Sequence, residues 1–382
     1  MKKFVSVMLS AVLAASMLAG CGTQGDNSAD NGGNAASGDT IKIGGIGPLT
    51  GGAASYGISV KQGAQVAVDE INAAGGILGK QIEFMFEDDE NKEQNSVNAY
   101  NTLMDKGMQV LIGSVTSNPC IAVADESVKD GILQITPSGS AKDCTKNDNG
   151  FRICFTDPQQ GEKMAEYITG TAGLKKVAAI YDSSDAYSTG ILDAFEAKLT
   201  SLGGELVAKE AFVSGDKDFK AQLTKISGTD AECLFMPFYY TEVAYVAEQA
   251  KSLGISLPYF GCDGWDGVIK QLNGDTSSIE GAIFLTPFIA TSENETVQKF
   301  VKAYEEKYSA TPDQFAADAY DAVYAVKAAA EKAGAIENDA LIKAMTEITL
   351  TGTTGTMTFS ADGEADKTAY FAKIENGKYV AL

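Results

Sequence analysis

The strongest constraint on this chain is a regular exchange between two hydrophobic periodicities. Short apolar runs suited to buried strands alternate with stretches whose apolar residues recur at helical spacing, and paired glycines mark the stops. Strands are expected over 41–46, 81–86, 110–112 and 132–136. The first helix between them carries Val60, Ala64, Ala67, Val68 and Ile71 on one face and stops at Gly75-Gly76; others are expected over 97–104 and 121–128. The alternation restarts after Pro158, with strands over 177–181, 206–212, 233–238, 258–262 and 282–285 and helices over 191–202, 219–226 and 242–253. Long helices follow at 297–308 and 312–332, and a shorter one near 340–345. The tail, 356–359, 369–374 and 379–382 around the turn Ala361-Asp362-Gly363, reads as a small antiparallel ribbon. Successive βα units imply an α/β fold of mainly parallel sheets with helices on both faces. Two such runs in 382 residues suit two lobes, at roughly 150 residues per domain.

Charge and residue usage narrow the function. Lys and Arg number 30 against 51 Asp and Glu, a net charge of −21, which argues against nucleic acid and anionic membrane surfaces as partners. Histidine is absent. That removes Ser-His-Asp and Cys-His catalysis and every His-ligated metal site. The Gly-rich run 47–57 lacks the spacing of either nucleotide-binding motif. A binding protein without enzymatic activity, metal or cofactor is the expectation. A secreted amide hydrolase would need an activated nucleophile that nothing here supplies.

The first 20 residues read as an export signal: Lys2 and Lys3, a mostly apolar run over 4–18, then Leu18-Ala19-Gly20-Cys21. That ending resembles the bacterial lipoprotein signal, in which the cysteine is lipidated; the alternative is an ordinary cleaved signal with an incidental Cys21. Residues 21–40 are rich in Gly, Asn, Ser, Ala and Asp and suit a flexible tether. The expectation is an exported chain, anchored by lipid on the outer or periplasmic face of the cell membrane. Five further cysteines leave at least one unpaired. Cys120 and Cys144, in loops of neighbouring βα units, are the first disulfide candidates, worth about 3.5 kcal/mol in the chain-entropy model. Cys233 and Cys262 are a second pair; the alternative is that all are small buried hydrophobes.

In α/β sheets ligands sit beyond the carboxyl ends of strands. Gly47 to Tyr56 follows the first strand and either places Tyr56 over a small ligand or merely packs it. Two hydroxyl-rich turns, 113–119 and 136–140, open helices after the third and fourth strands. Ser117 and Ser140 there either cap helices or, with helix-end N–H groups, hold an anion. In the second half, Tyr187, Tyr239 and the run Gly261-Cys262-Asp263-Gly264-Trp265-Asp266 follow strands. Asp263 is either a turn residue or the partner of an ammonium, and the tyrosines either rim packing or pocket wall.

Together, Gly47-Pro48-Leu49-Thr50-Gly51, the run 70–77 (Glu-Ile-Asn-Ala-Ala-Gly-Gly-Ile), Ile135-Thr136-Pro137-Ser138, Phe151-Arg152 and Gly264-Trp265-Asp266 resemble the leucine/isoleucine/valine-binding protein family, the type I solute-binding proteins of ABC importers. The resemblance spans nearly all of 41–382. It implies the two-lobe type I periplasmic-binding-protein (Venus flytrap) fold, with an N-terminal lobe of 41–157 plus 289–353, a C-terminal lobe of 158–288 plus 354–382, and crossovers near Asp157, Phe288 and Thr354. It implies that Ser117 and Ser140 hold a ligand carboxylate and that the Ser138 carbonyl and Asp263 hold its ammonium. Tyr56 would wall the side-chain pocket, Tyr187 and Tyr239 would close from the second lobe, and Trp265 would lie nearby. The partners implied are an α-amino acid, branched-chain or otherwise apolar, and an ABC permease with its ATPase subunits; a monomer is expected. The alternative is an exported amino-acid sensor acting with a signalling partner.

Overall fold

Six of the seven residues of β1 (Ile41–Gly47) are buried, so the strand is covered on both faces and reads as a nearly continuous apolar and glycine run. It becomes the second strand of a five-stranded parallel sheet, ordered β2 (Ile82–Asp88), β1, β3 (Val110–Ile112), β4 (Leu133–Thr136), β5 (Gly150–Arg152). The computed structural model describes residues 40–382, all within one compact unit. The export signal, Cys21 and the tether up to residue 39 lie outside the described residues.

A second sheet repeats the plan. Its parallel strands are β6 (Lys176–Asp182), β7 (Glu205–Phe212), β8 (Cys233–Met236), β9 (Tyr259–Gly261) and β10 (Ile283–Thr286), in the order β7-β6-β8-β9-β10. In both sheets the first strand lies inside and the chain reverses direction across it, which opens a crevice at the strands' carboxyl ends. The helices are α1 (Ala54–Ala73), α2 (Glu93–Asp105), α3 (Ser117–Asp130), α4 (Asp157–Glu166), α5 (Ala186–Ser201), α6 (Lys220–Ser227), α7 (Tyr240–Ser252), α8 (Val268–Gln271), α9 (Glu295–Tyr308), α10 (Gln314–Ala333) and α11 (Asn338–Met345). No described helix is long and apolar enough to cross a membrane.

The tail differs from the sequence expectation. β11 (Thr349–Gly352) and β12 (Gly355–Thr358) pair with each other as a separate hairpin. β13 (Tyr370–Glu375) and β14 (Lys378–Ala381) extend the second sheet, with β13 antiparallel to β10. Residues 356–359 therefore do not join the tail ribbon, because β11, which the periodicity did not reveal, takes their pairing edge. Two further elements escape the periodicity. β5 is three residues long. α4 is mostly polar and is set by a capping box between Thr156 and Gln159 and by the close approach of Gly161 to α5.

The first core forms where α1 lies on α10. Val60, Ala64, Ala67, Val68 and Ile71 are all buried, as the helical spacing predicts. Backbones touch at Gly63, where an added Cβ would stand 2.0 Å from the carbonyl oxygen of Ala316. Alanine is the better helix former by about 1 kcal/mol, yet Gly63→Ala should destabilise the fold by about 1–3 kcal/mol through overpacking. Urea denaturation decides between the two effects; an unchanged or raised midpoint would show that α1 and α10 are further apart than described.

Candidate functional site

The strand ends and helix starts that face the crevice line a common, nearly filled space of about 10 Å³. From the first sheet come Tyr56 in the first turn of α1, Val115 and Thr116 at the start of α3, Ser138 after β4, and Phe315 in the first turn of α10. From the second come Tyr187 in the first turn of α5, Tyr239 ahead of α7, and Asp263 with Gly264 after β9. Five residues singled out in the sequence therefore meet: Tyr56, Ser138, Tyr187, Tyr239 and Asp263.

The aromatic rings form the walls. Tyr187 stacks on Tyr239 at 4.9 Å, Tyr56 meets Tyr239 edge-on at 5.4 Å, and Phe315 lies 4.2 Å from Tyr56. Tyr56 also joins the two sides by hydrogen bonds. Its hydroxyl donates to Gly264 O and accepts from Tyr240 N–H at 3.3 Å. Around the rim, Thr241 donates to Gly52 O at 2.7 Å, Ser55 N–H to the Tyr240 hydroxyl at 3.2 Å, and Asn118 to Ser184 O at 3.1 Å.

Asp263 is the charged end of this space. The Tyr187 hydroxyl donates to its Oδ1 at 2.7 Å and accepts from Gly264 N–H at 2.9 Å. Its backbone is held from two sides: its N–H donates to Gln160 Oε1 at 3.0 Å, and Gln314 Nε2 donates to its carbonyl at 2.5 Å. Burial pushes its carboxyl up to about 6, with the Tyr187 hydrogen bond opposing. On the opposite side the Ser138 hydroxyl is spent on Val115 O at 2.7 Å, while its carbonyl accepts no hydrogen bond among the described residues.

The remaining site expectations fare differently. Ser117 and Ser140 do not line the space; they stand directly behind Thr116 and Ser138. Ser117 Oγ accepts from Ala141 N–H at 3.2 Å, which leaves its own hydrogen to donate, and Ser140 Oγ is buried without a partner. Arg152, fully buried, fixes their turn. It donates to the carbonyls of Gly139 and Ala141 at 2.9 and 3.0 Å and pairs with Glu364 at 2.7 Å. Trp265 is a correction: it lies in the core, not in the pocket. Its Nε1 donates to Met236 O at 2.8 Å and its ring fills the room left by Gly261. The cysteines are also corrected. Cys120 and Cys144 share a small buried cluster and stand as separate thiols; Cys144 donates to Ser117 O at 3.7 Å and Cys120 accepts from Gln134 at 3.4 Å. Cys233 and Cys262 are free as well. Val115, Thr116, Gly264 and Phe315 were missed, Val115 lying within the 113–119 turn. Thr116 and Gly264 adjoin residues that were noticed; Phe315 carries no signal, because only the packing of α10 brings it here.

Two α/β sheets whose strand ends face one another across an aromatic, acid-bearing crevice define the class of the type I solute-binding proteins. A family model described as Periplasmic binding protein matches residues 40–378, and the chain belongs to that family. It is 33% identical over 347 residues to Leu/Ile/Val-binding protein homolog 3 of Brucella melitensis, covering 90% of this chain and 93% of that protein. Among solved structures it is similar to the branched-chain amino acid transporter substrate binding protein LivJ from Streptococcus pneumoniae in complex with isoleucine (TM-score 0.83, 34% identity, 90% and 100% of the two chains). It is also similar to a leucine binding protein LivK from Thermotoga maritima (TM-score 0.84, 29% identity, 90% and 98%).

The raised Asp263 carboxyl has a consequence for stability. Its pKa in the fold, about 6, lies above its ordinary 3.8, so the folded chain holds the proton longer than the unfolded one. Its contribution is present at acidic pH and is lost as pH rises through this window. Asp263→Asn should be more stable than the parent at pH 7, by up to about 3 kcal/mol, with the difference vanishing near pH 4. Thermal unfolding across pH 4–8 measures this; equal curves at every pH would show that the Asp263 carboxylate is not desolvated.

Proposed function

We propose that this protein is the substrate-binding lipoprotein of an ABC importer, capturing an α-amino acid with a branched-chain or other apolar side chain and delivering it to a membrane permease. The observation that carries the reading is a small space lined from both sheets, with the Asp263 carboxyl on one side and the Ser138 turn on the other. The Asp263 carboxylate and the unengaged Ser138 carbonyl suit an ammonium. The amide groups at the start of α3, with Ser117 and Ser140 outside the lining but next to it in the chain, suit a carboxylate. Tyr56, Tyr239 and Phe315 offer an apolar wall for the side chain. Relatives described as Leu/Ile/Val-binding proteins support a branched aliphatic ligand.

The lobes proposed are 41–157 plus 289–353 and 158–288 plus 354–382. The amino acid docks on the first, and closure brings Asp263, Tyr187 and Tyr239 onto it. Excluding water lowers the local dielectric and strengthens each charge-assisted hydrogen bond, so the ligand selects the closed form. That form docks on the permease, whose ATPase subunits supply the energy. The chain acts as a monomer and catalyses no reaction itself.

Calorimetry with a panel of L-amino acids tests the site. Leucine, isoleucine or valine should bind, and Asp263→Ala should weaken binding by about 30-fold or more, the cost of leaving a buried ammonium unpaired. Affinity should also fall as pH drops below about 6, where Asp263 takes up its proton. Unchanged affinity in Asp263→Ala combined with Ser117→Ala would remove the assignment.

The anchor rests on Leu18-Ala19-Gly20-Cys21. Cells fed a labelled fatty acid should label the parent protein, and Cys21→Ala should lose the label and release the protein from the membrane fraction. A labelled Cys21→Ala protein would place the anchor elsewhere.

A further inference from the structure

At the rim of the crevice one side chain joins a turn of the first sheet to a turn of the second by two hydrogen bonds. Asn118 is the second residue of α3, two positions after Thr116, which lines the pocket; Asn118 itself does not. Its amide reaches the turn after β6. Nδ2 donates to Ser184 O at 3.1 Å, and Oδ1 accepts from Ala186 N–H at 3.1 Å. Both partners depend on it. Ala186 is the first residue of α5, and a helix leaves its first N–H groups without partners inside the helix. The Asp185 side chain caps Tyr187 N–H, not Ala186 N–H. Ser184 O accepts from no other group among the described residues. An asparagine suits the place because one short side chain carries both a donor and an acceptor.

The turn held in this way carries a pocket wall. Tyr187 follows Ala186 directly, stacks on Tyr239 and donates to Asp263. The turn is stiffened from within: Asp182 accepts from Ser184 N–H at 2.8 Å, and Asp182 N–H donates to Ser188 Oγ at 2.9 Å. A pull on residues 184 to 186 therefore moves Tyr187 with them. An apolar contact lies beside the two hydrogen bonds, where Ala186 packs on the cluster of Cys120, Ala141 and Cys144 that belongs to the first sheet's side. Tyr56 also bonds across the crevice, but it lines the pocket, so its contacts with a ligand and with the opposite sheet cannot be separated. At Asn118 they are separate.

We propose that Asn118 is a positioning residue that latches the crevice: its amide holds the turn of Thr116 against the turn of Tyr187, and a bound ligand leaves only after both hydrogen bonds break. This rests on the reading of the crevice as the amino-acid site. The latch touches no ligand and forms as the two turns meet, so it slows release and leaves capture unchanged. Its bonds join neutral groups, and Ser184 is exposed, so water competes for them once the turns part. The latch therefore biases the crevice toward closure without fixing it shut.

Two measurements test this. In the full chain without ligand, residue-resolved hydrogen exchange should show the Ala186 amide exchanging about 10-fold faster in Asn118→Ala than in the parent, while amides inside β6 and β8 keep their rates. An unchanged Ala186 rate overturns the latch. A rise at every amide reports lost stability alone and overturns it as well. With L-isoleucine as probe, stopped-flow kinetics should give Asn118→Ala and Asn118→Leu a dissociation rate about 10-fold above the parent's, with association within about twofold. Asn118→Leu keeps bulk at this position and removes both hydrogen bonds, so parent-like release in that variant overturns the role of the amide. Slower association with unchanged release also overturns it. If the parent binds no L-amino acid, the proposed function falls, and the Ala186 exchange rate still decides whether Asn118 joins the two turns.

Discussion

The crevice depends on one buried cation. Arg152 lies at the end of β5 with its side chain wholly covered, and it ties the 138–142 turn to Glu364, a residue more than 200 positions away in the chain. A guanidinium taken out of water costs several kcal/mol unless its donors are met. Here they are met by carbonyls and a carboxylate in a fixed fork geometry. That requirement holds the turn carrying Ser138 and Ser140 in one position. A second buried pair, Lys367 with Asp318, binds the same distal segment to α10, and Lys367 also donates to Ile153 O at 2.9 Å. The segments that pass between the two sheets are thus pinned to one another by charge.

Against this fixed frame, the acid end of the pocket is built at a cost. Asp263 is desolvated, and a single tyrosine hydroxyl and a few neighbouring dipoles offset only part of that cost. Such an arrangement would suit the ammonium partner proposed above. Tyr187 contributes twice, since it donates to the carboxylate and accepts from Gly264 N–H, so the ring that walls the pocket also orients its charge.

Much of the fold was legible because buried parallel strands and amphipathic helices announce themselves in periodicity. The parallel strands from β1 to β10 were anticipated, with β5 as the exception. β5 and α4 were not, since a three-residue strand holding an arginine has no period and α4 is defined by its cap and by contact with α5. The tail ribbon was read with one strand too many because β11 is short and polar. Tyr56, Ser138, Tyr187, Tyr239 and Asp263, singled out by looking past strand ends, are brought to one space by the fold. Trp265 obeyed the same rule and failed it: a three-residue turn carried the indole back under the sheet, where its N–H meets Met236 O.

What the sequence determined alone was the kind of object: alternating βα units, no imidazole, a strong acid excess and hydroxyl-rich turns after strands are local facts, and each follows from residue type and spacing. What the tertiary structure decided was which of those turns share a space. Phe315 reaches the pocket because α10 packs on α1, and Trp265 leaves it because Gly261 makes room. Those outcomes depend on volume and on competition for hydrogen-bond partners among residues far apart in the chain, and periodicity along the chain carries no record of either.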